Sequence, residues 1–79
     1  MSAQVTVRYW AGARRAAGRD SEQLSAGNLR DLLSQLGSRP ALTDVIAASS
    51  VLVDGLANPS DNPLPEGAVV DILPPFAGG

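Results

Sequence analysis

Asn28-Leu29-Arg30-Asp31-Leu32-Leu33-Ser34-Gln35-Leu36-Gly37 is the stretch that decides the fold. Leu29, Leu32, Leu33 and Leu36 recur at i, i+3, i+4 and i+7, which lays one apolar stripe along a helix. Asn28 is a good N-cap, and Asp31 stands where a capping box takes Glu or Gln. Gly37 is placed to stop the helix in the left-handed conformation. The flanks read differently. Upstream, Gln4-Val5-Thr6-Val7-Arg8-Tyr9-Trp10 alternates with period two, a strand with Val5, Val7 and Tyr9 on one face and Thr6, Arg8 and Trp10 on the other. Ala11 to Gly18 is a short helical turn closed by Gly18, and Ser21 to Leu24 is a weaker strand able to pair antiparallel with the first. Downstream, Leu42, Val45 and Ile46 make another turn of helix after Pro40, and Ser50 to Val53 is a third strand. Asp54-Gly55 is a hairpin signal leading into Leu56. Asn58 to Pro63 is loop by composition, and Pro65-Glu66-Gly67 turns into the last strand, Ala68 to Leu73. Pro74-Pro75 ends that strand, because proline cannot donate to the ladder.

One helix set among strands predicts an α+β fold: a mixed sheet of four to five strands with one main helix and short helical turns. A chain of 79 residues has room for one domain and a modest core. It has no cysteine and no histidine, which removes thiol chemistry, imidazole acid–base catalysis and the usual zinc sites. All its basic residues are arginines, Arg8, Arg14, Arg15, Arg19, Arg30 and Arg39, and the formal charge of −2 argues against nucleic acid as a partner. No apolar run approaches the roughly 20 residues of a membrane span, and the first residues lack the pattern of a signal peptide. The expected location is the cytoplasm, with no membrane partner. Chemistry is left to carboxylates, the backbone or a terminus.

Several motifs belong together. Tyr9-Trp10-Ala11 is followed by Arg14 and Gly18; Leu29 to Leu36 forms the helix; Val53-Asp54-Gly55 makes a turn. Pro63-Leu64-Pro65-Glu66-Gly67 leads on to Asp71-Ile72-Leu73-Pro74-Pro75-Phe76-Ala77-Gly78-Gly79. In these, over nearly its whole length, the chain resembles the MoaD/ThiS family of ubiquitin-like sulfur carriers. The closing Pro-Pro before Gly-Gly resembles the branch of molybdopterin synthase small subunits. Asp54 where the family has Asn, Ala68 where it often has Asp, and Arg15 where an acidic residue is common are departures. They bear on partner choice more than on chemistry.

The resemblance implies a β-grasp (ubiquitin-like) roll over residues 1–74 and a flexible Gly-Gly tail over 75–79. It also implies a mechanism. The carboxylate of Gly79, next to Gly78, is adenylated by a MoeB-like enzyme that uses ATP, then converted to a thiocarboxylate by a sulfur donor. The sulfur passes to a pterin precursor held by a MoaE-like large subunit of molybdopterin synthase. The carrier binds no cofactor or metal and is not catalytic alone. Other readings are a carrier for cysteine or thiamin synthesis, a ubiquitin-like protein modifier, and a plain interaction module.

The residues fit this chemistry. Terminal Gly-Gly alone is a weak signal, but here it follows a rigid Pro-Pro that launches it from the last strand. Glycines lack Cβ atoms and pass through tight walls. From Phe76 to Gly79 the reach is about 13 Å at roughly 3.3 Å per residue. Strand parity puts Leu73 with Val69 and Asp71, opposite Val70 and Ile72, and so on the outer face if the latter pair meets the helix. Leu73, Phe76, Leu56, Trp10 and Pro75 are the expected docking residues, as an exposed apolar patch. Arg14, Arg15 and Arg19 read as a solvated basic turn. Asp20, Glu22, Asp44, Asp61 and Glu66 read as surface carboxylates without ligand spacing.

Overall fold

The alternation of the first strand is realised over Ala3–Tyr9 (β1), where Ala3, Val5, Val7 and Tyr9 are buried and Gln4 and Arg8 are exposed. The structure, a computed structural model, describes residues 2–57 and 62–75. After β1 come a helix at Gly12–Ala17 (α1), a strand at Ser21–Ala26 (β2), the main helix Leu29–Gly37 (α2) and a short helix at Thr43–Ala48 (α3). Strands at Ser50–Val53 (β3) and Val69–Leu73 (β4) complete the order. The sheet has four strands in the order β2-β1-β4-β3. β1 runs antiparallel to β2 and parallel to β4, and β3 is antiparallel to β4. The first and last strands thus pair at the centre of a mixed sheet, the expected β-grasp arrangement. Among the described residues a possible fifth strand is represented by isolated bridges, Val53 with Leu56 and Asn28 with Pro63.

The helical stripe does what its spacing predicts. Leu29, Leu32 and Leu36 are buried and join Val5, Val7, Tyr9, Val70 and Ile72 in one core, with Leu33 packed at its margin. Leu42 and Leu64 close the same cluster from the connections. No helix among the described residues is long and apolar enough to cross a membrane.

The local signals hold at most positions. The Asn28 side chain accepts from the Asp31 N–H at 2.8 Å, as an N-cap should. Asp31 reciprocates one residue earlier than a capping box requires, accepting from the Gly27 N–H at 3.1 Å. Gly18 ends α1 with φ 76°. Asp54 and Gly55 have φ 50° and 83°, both positive, as a two-residue type I′ hairpin turn demands.

Gly37 differs from its expected role. It is the last residue of α2, and Ser38 after it stays right-handed. The carbonyls at the helix end are met in other ways. Ser38 donates its N–H to Ser34 and its hydroxyl to Gln35, and Thr43 Oγ1 donates to Gly37 at 2.7 Å. With those partners supplied, a left-handed stop is unnecessary.

Candidate functional site

β4 ends at Leu73 beside the C-terminal end of β1, since the two run parallel with Tyr9 opposite Ile72. Trp10 continues β1 by donating its N–H to the Ile72 carbonyl at 3.3 Å. Pro74 and Pro75 therefore lead out of the sheet at the end that carries Trp10 and Leu73. Val70 and Ile72 are fully buried, so parity turns Val69, Asp71 and Leu73 to the outer face, away from the helices. Leu73 is half-buried there, Pro75 is exposed, and Trp10 is 44% exposed. Phe76, Gly78 and Gly79 lie outside the described residues.

Leu56 does not join this group. It is 72% exposed, but it bridges Val53, whose side chain faces the core, so it sits at the β3 edge on the inner side. Val53 pairs with Val70 and Ser50 with Leu73, which puts the hairpin at the opposite end of β4 from Leu73. A further apolar residue on the outer face is Leu52, opposite Asp71 and half-buried.

At the centre of that face lies a polar cluster. Arg8 pairs with Asp71 in the β1–β4 register. Its Nε donates to Asp71 Oδ1 at 2.6 Å and its Nη2 to Oδ2 at 3.0 Å, a two-pronged ion pair. Trp10 Nε1 donates to the same Oδ1 at 2.9 Å, and the Arg8 guanidinium lies 5.5 Å from the centre of the indole ring. Asp71 is only 7% exposed, although it points out of the sheet. The Arg8 hydrogen bonds hold its carboxyl below the usual carboxylate range, against the opposing effect of burial, and the Trp10 bond adds to the shift.

A second network ties the sheet to the helical layer. Glu22 was expected at the surface; instead its side chain is 9% exposed and meets three groups from three segments. Its carboxylate accepts from Tyr9 Oη at 2.5 Å and from Arg39 at 2.7 and 3.0 Å, with Arg19 at 3.8 Å. The Arg39 bonds push the Glu22 carboxyl down. Burial, followed by the Glu22 bond, pushes the Tyr9 hydroxyl up. The cause of the misreading is register: Glu22 lies opposite Val7 and so faces inward. Of the expected solvated turn, Arg14 contacts Asp20 at 3.5 Å in an exposed pair, and Arg19 belongs to the Glu22 network. Asp20, Asp44 and Glu66 are exposed as expected, and Asp61 lies outside the described residues. Among the described residues no group of carboxylates could hold a metal ion.

The acid behaviour of the outer cluster is checkable through Trp10, the chain's one tryptophan. Asp71 titrates lower in the folded chain than unfolded, so its contribution is complete above the ordinary Asp value of about 3.9 and is lost as pH falls through the lower folded value. Trp10 emission is expected to stay constant from neutral pH to about 4 and to change only below it. A midpoint at or above the ordinary Asp value would show that Arg8 does not hold the carboxylate.

Comparison with known proteins places this geometry in a family. The ThiS family model matches residues 7–79. The chain belongs to the ThiS family. This ThiS-family chain matches no curated protein by sequence. Among solved structures it is similar to a Pyrococcus furiosus protein assigned as subunit 1 of molybdopterin converting factor, at 29% identity and TM-score 0.83, covering 95% of this chain and 100% of that one. It is also similar to small archaeal modifier protein 1 of Methanosarcina acetivorans, at 28% identity and TM-score 0.84, covering 100% and 99%. A complex of subunits 1 and 2 of the molybdopterin-converting factor of Helicobacter pylori shares the fold at 22% identity and TM-score 0.78, covering 96% and 99%.

Proposed function

We propose that the chain is a sulfur carrier acting as the small subunit of a molybdopterin synthase, with the Gly79 carboxylate as its working group. In this reading a MoeB-like enzyme adenylates that carboxylate: an oxygen attacks the α-phosphorus of ATP and pyrophosphate leaves. Hydrosulfide supplied by the donor then attacks the carbonyl carbon and displaces AMP, leaving a thiocarboxylate. A MoaE-like large subunit holds the pterin precursor that receives the sulfur. The carrier itself binds no cofactor and catalyses nothing alone.

The observation that carries this reading is where β4 ends. The sheet delivers Pro74-Pro75 beside an outer face bearing Trp10 and Leu73, and the family match continues to residue 79. The likeness to the Pyrococcus furiosus protein supports the pterin pathway over cysteine or thiamin synthesis. The fold shared with one half of a two-subunit complex is consistent with a large-subunit partner. The test is the intact mass of carrier made together with the adenylating enzyme and a sulfur donor. One oxygen should be replaced by one sulfur, and the product should convert precursor to pterin dithiolene only with the large subunit. Conversion instead by a cysteine- or thiazole-forming enzyme would move the carrier to another pathway.

Docking is assigned to Leu73, Phe76, Pro75 and Trp10, the tail and the outer face together. Leu56, on the inner side of the β3 edge, is left as a separate contact. Interface anchors cost on the order of 2 kcal/mol when truncated, roughly thirtyfold in affinity. Leu73→Ala and Phe76→Ala are each expected to weaken the large-subunit complex by about that factor. Sulfuration and melting should change little. A large fall in melting temperature with unchanged affinity would make Leu73 a packing residue only.

A second reading, protein modifier, is favoured by the likeness to small archaeal modifier protein 1. The chain has no lysine, so it cannot build lysine-linked chains on itself. If it is a modifier, digests of cell protein should show its tail remnant on lysines of other proteins, and never on this chain. Absence of such remnants leaves the sulfur-carrier reading alone.

A further inference from the structure

Carried with that docking reading, on which it rests, is an unexplained ion pair. Arg8 and Asp71 sit on the sheet face that no helix covers, yet Asp71 is 7% exposed. Such a pair is weak evidence for stability, because apolar residues of similar volume often serve as well. Its geometry suggests another use. A guanidinium has five N–H donors. Asp71 takes the Nε and Nη2 edge of Arg8, and no described residue takes the Nη1 edge. The Arg8 side chain remains 49% exposed. Arg8 also lines an open cleft of about 270 Å³, together with Tyr9, Trp10, Arg14, Asp20 and Ser21. Arg14 brings a second guanidinium to the cleft, with a long, exposed contact to Asp20 among the described residues.

We propose that Arg8 is a specificity contact of the docking face, which presents the free edge of its guanidinium to an Asp or Glu side chain of the partner protein, while Asp71 positions both Arg8 and Trp10. A carboxylate matches that edge with two parallel hydrogen bonds, as Asp71 matches the other. The cleft has room for the incoming side chain, and the positive charge of Arg14 favours it. Asp71 fixes the direction of the guanidinium and, through Trp10 Nε1, the plane of the indole. Arginine and tryptophan are the residue types in which interface energy concentrates, and holding them in place beforehand lowers the ordering cost of binding. A partner with an apolar or basic surface opposite Arg8 would be rejected.

The test uses the full-length carrier and the large subunit of molybdopterin synthase from the same organism. Arg8→Met/Asp71→Leu removes the pair without leaving a lone charge, so the double variant should melt at or above wild type. Its affinity for the large subunit should fall about tenfold or more, with a shallower salt dependence of the association rate. Arg8→Lys keeps the charge but not the fork, and should not restore affinity. Asp71→Leu alone should lower both affinity and the fluorescence anisotropy of Trp10, a readout that a purely structural role would leave unmoved in a chain that stays folded. Wild-type affinity and salt dependence in the double variant would overturn the inference while the docking reading stands. Lost affinity with unchanged salt dependence would mean a carbonyl acceptor, and overturns the carboxylate. Failure of wild type itself to bind overturns both.

Discussion

Deleting Gly79 is expected to abolish sulfuration outright and to leave the melting temperature unchanged. β4 ends at Leu73, so the sheet is complete well before the last residue. The chain has no cysteine to hold sulfur elsewhere, and a thioether at Met1 cannot form a thiocarboxylate. Adding one residue after Gly79 should have the same effect, because the adenylating site would meet a peptide bond where it needs a free carboxylate. Truncation to Gly78 keeps a terminal glycine but shortens the reach by about 3.3 Å. Intact mass after exposure to the adenylating enzyme and sulfur donor decides the matter. Sulfur found on either altered chain would refute the assignment of Gly79.

The largest loss of stability is expected from Leu32→Ala. Leu32 is completely buried at the centre of the α2 stripe. Truncating such a residue costs about 2–5 kcal/mol. A domain of this length has only about 4–12 kcal/mol in total, at roughly 0.05–0.15 kcal/mol per residue. Each kcal/mol moves the midpoint of a domain this small by about 4–8 °C, so a fall of roughly 8–40 °C should appear in calorimetry. Leu73→Ala, from a half-buried outer position, should fall far less. Equal losses for the two would mean that the outer face is as tightly packed as the helical stripe.

The contrast between those two leucines was legible in the sequence. Period two in Gln4 to Trp10 and a stripe of four leucines in α2 follow from backbone geometry alone, and the structure puts Val5, Val7, Tyr9, Leu29, Leu32 and Leu36 where that geometry requires. The family motifs added the β-grasp roll, while the parallel pairing of the first and last strands was read from the structure. Asp71, Arg8 and Leu52 were missed as members of a shared site. Each reads only as an outward residue of its own strand. What joins them is the register of β1 with β4 and of β4 with β3, pairings between segments some sixty and twenty residues apart. Glu22 was missed for the same reason: it becomes an inward carboxylate only once β2 is aligned so that Glu22 meets Val7. Leu56 failed in the opposite direction. Its exposure was foreseen, but the I′ turn returns it to the face of Val53, where it cannot share a surface with Leu73.

The central place of β4 has a mechanical consequence. In the proposed carrier role, drawing the tail into a partner's active site and withdrawing it would put tension along the last strand. β4 is hydrogen-bonded on both sides, to β1 and to β3, and the pull runs along the strand. Tension therefore loads both ladders in shear, with many hydrogen bonds resisting together. An edge strand pulled from its end would instead give way one bond at a time. In that role the body of the molecule would serve as a rigid stop at the mouth of the partner.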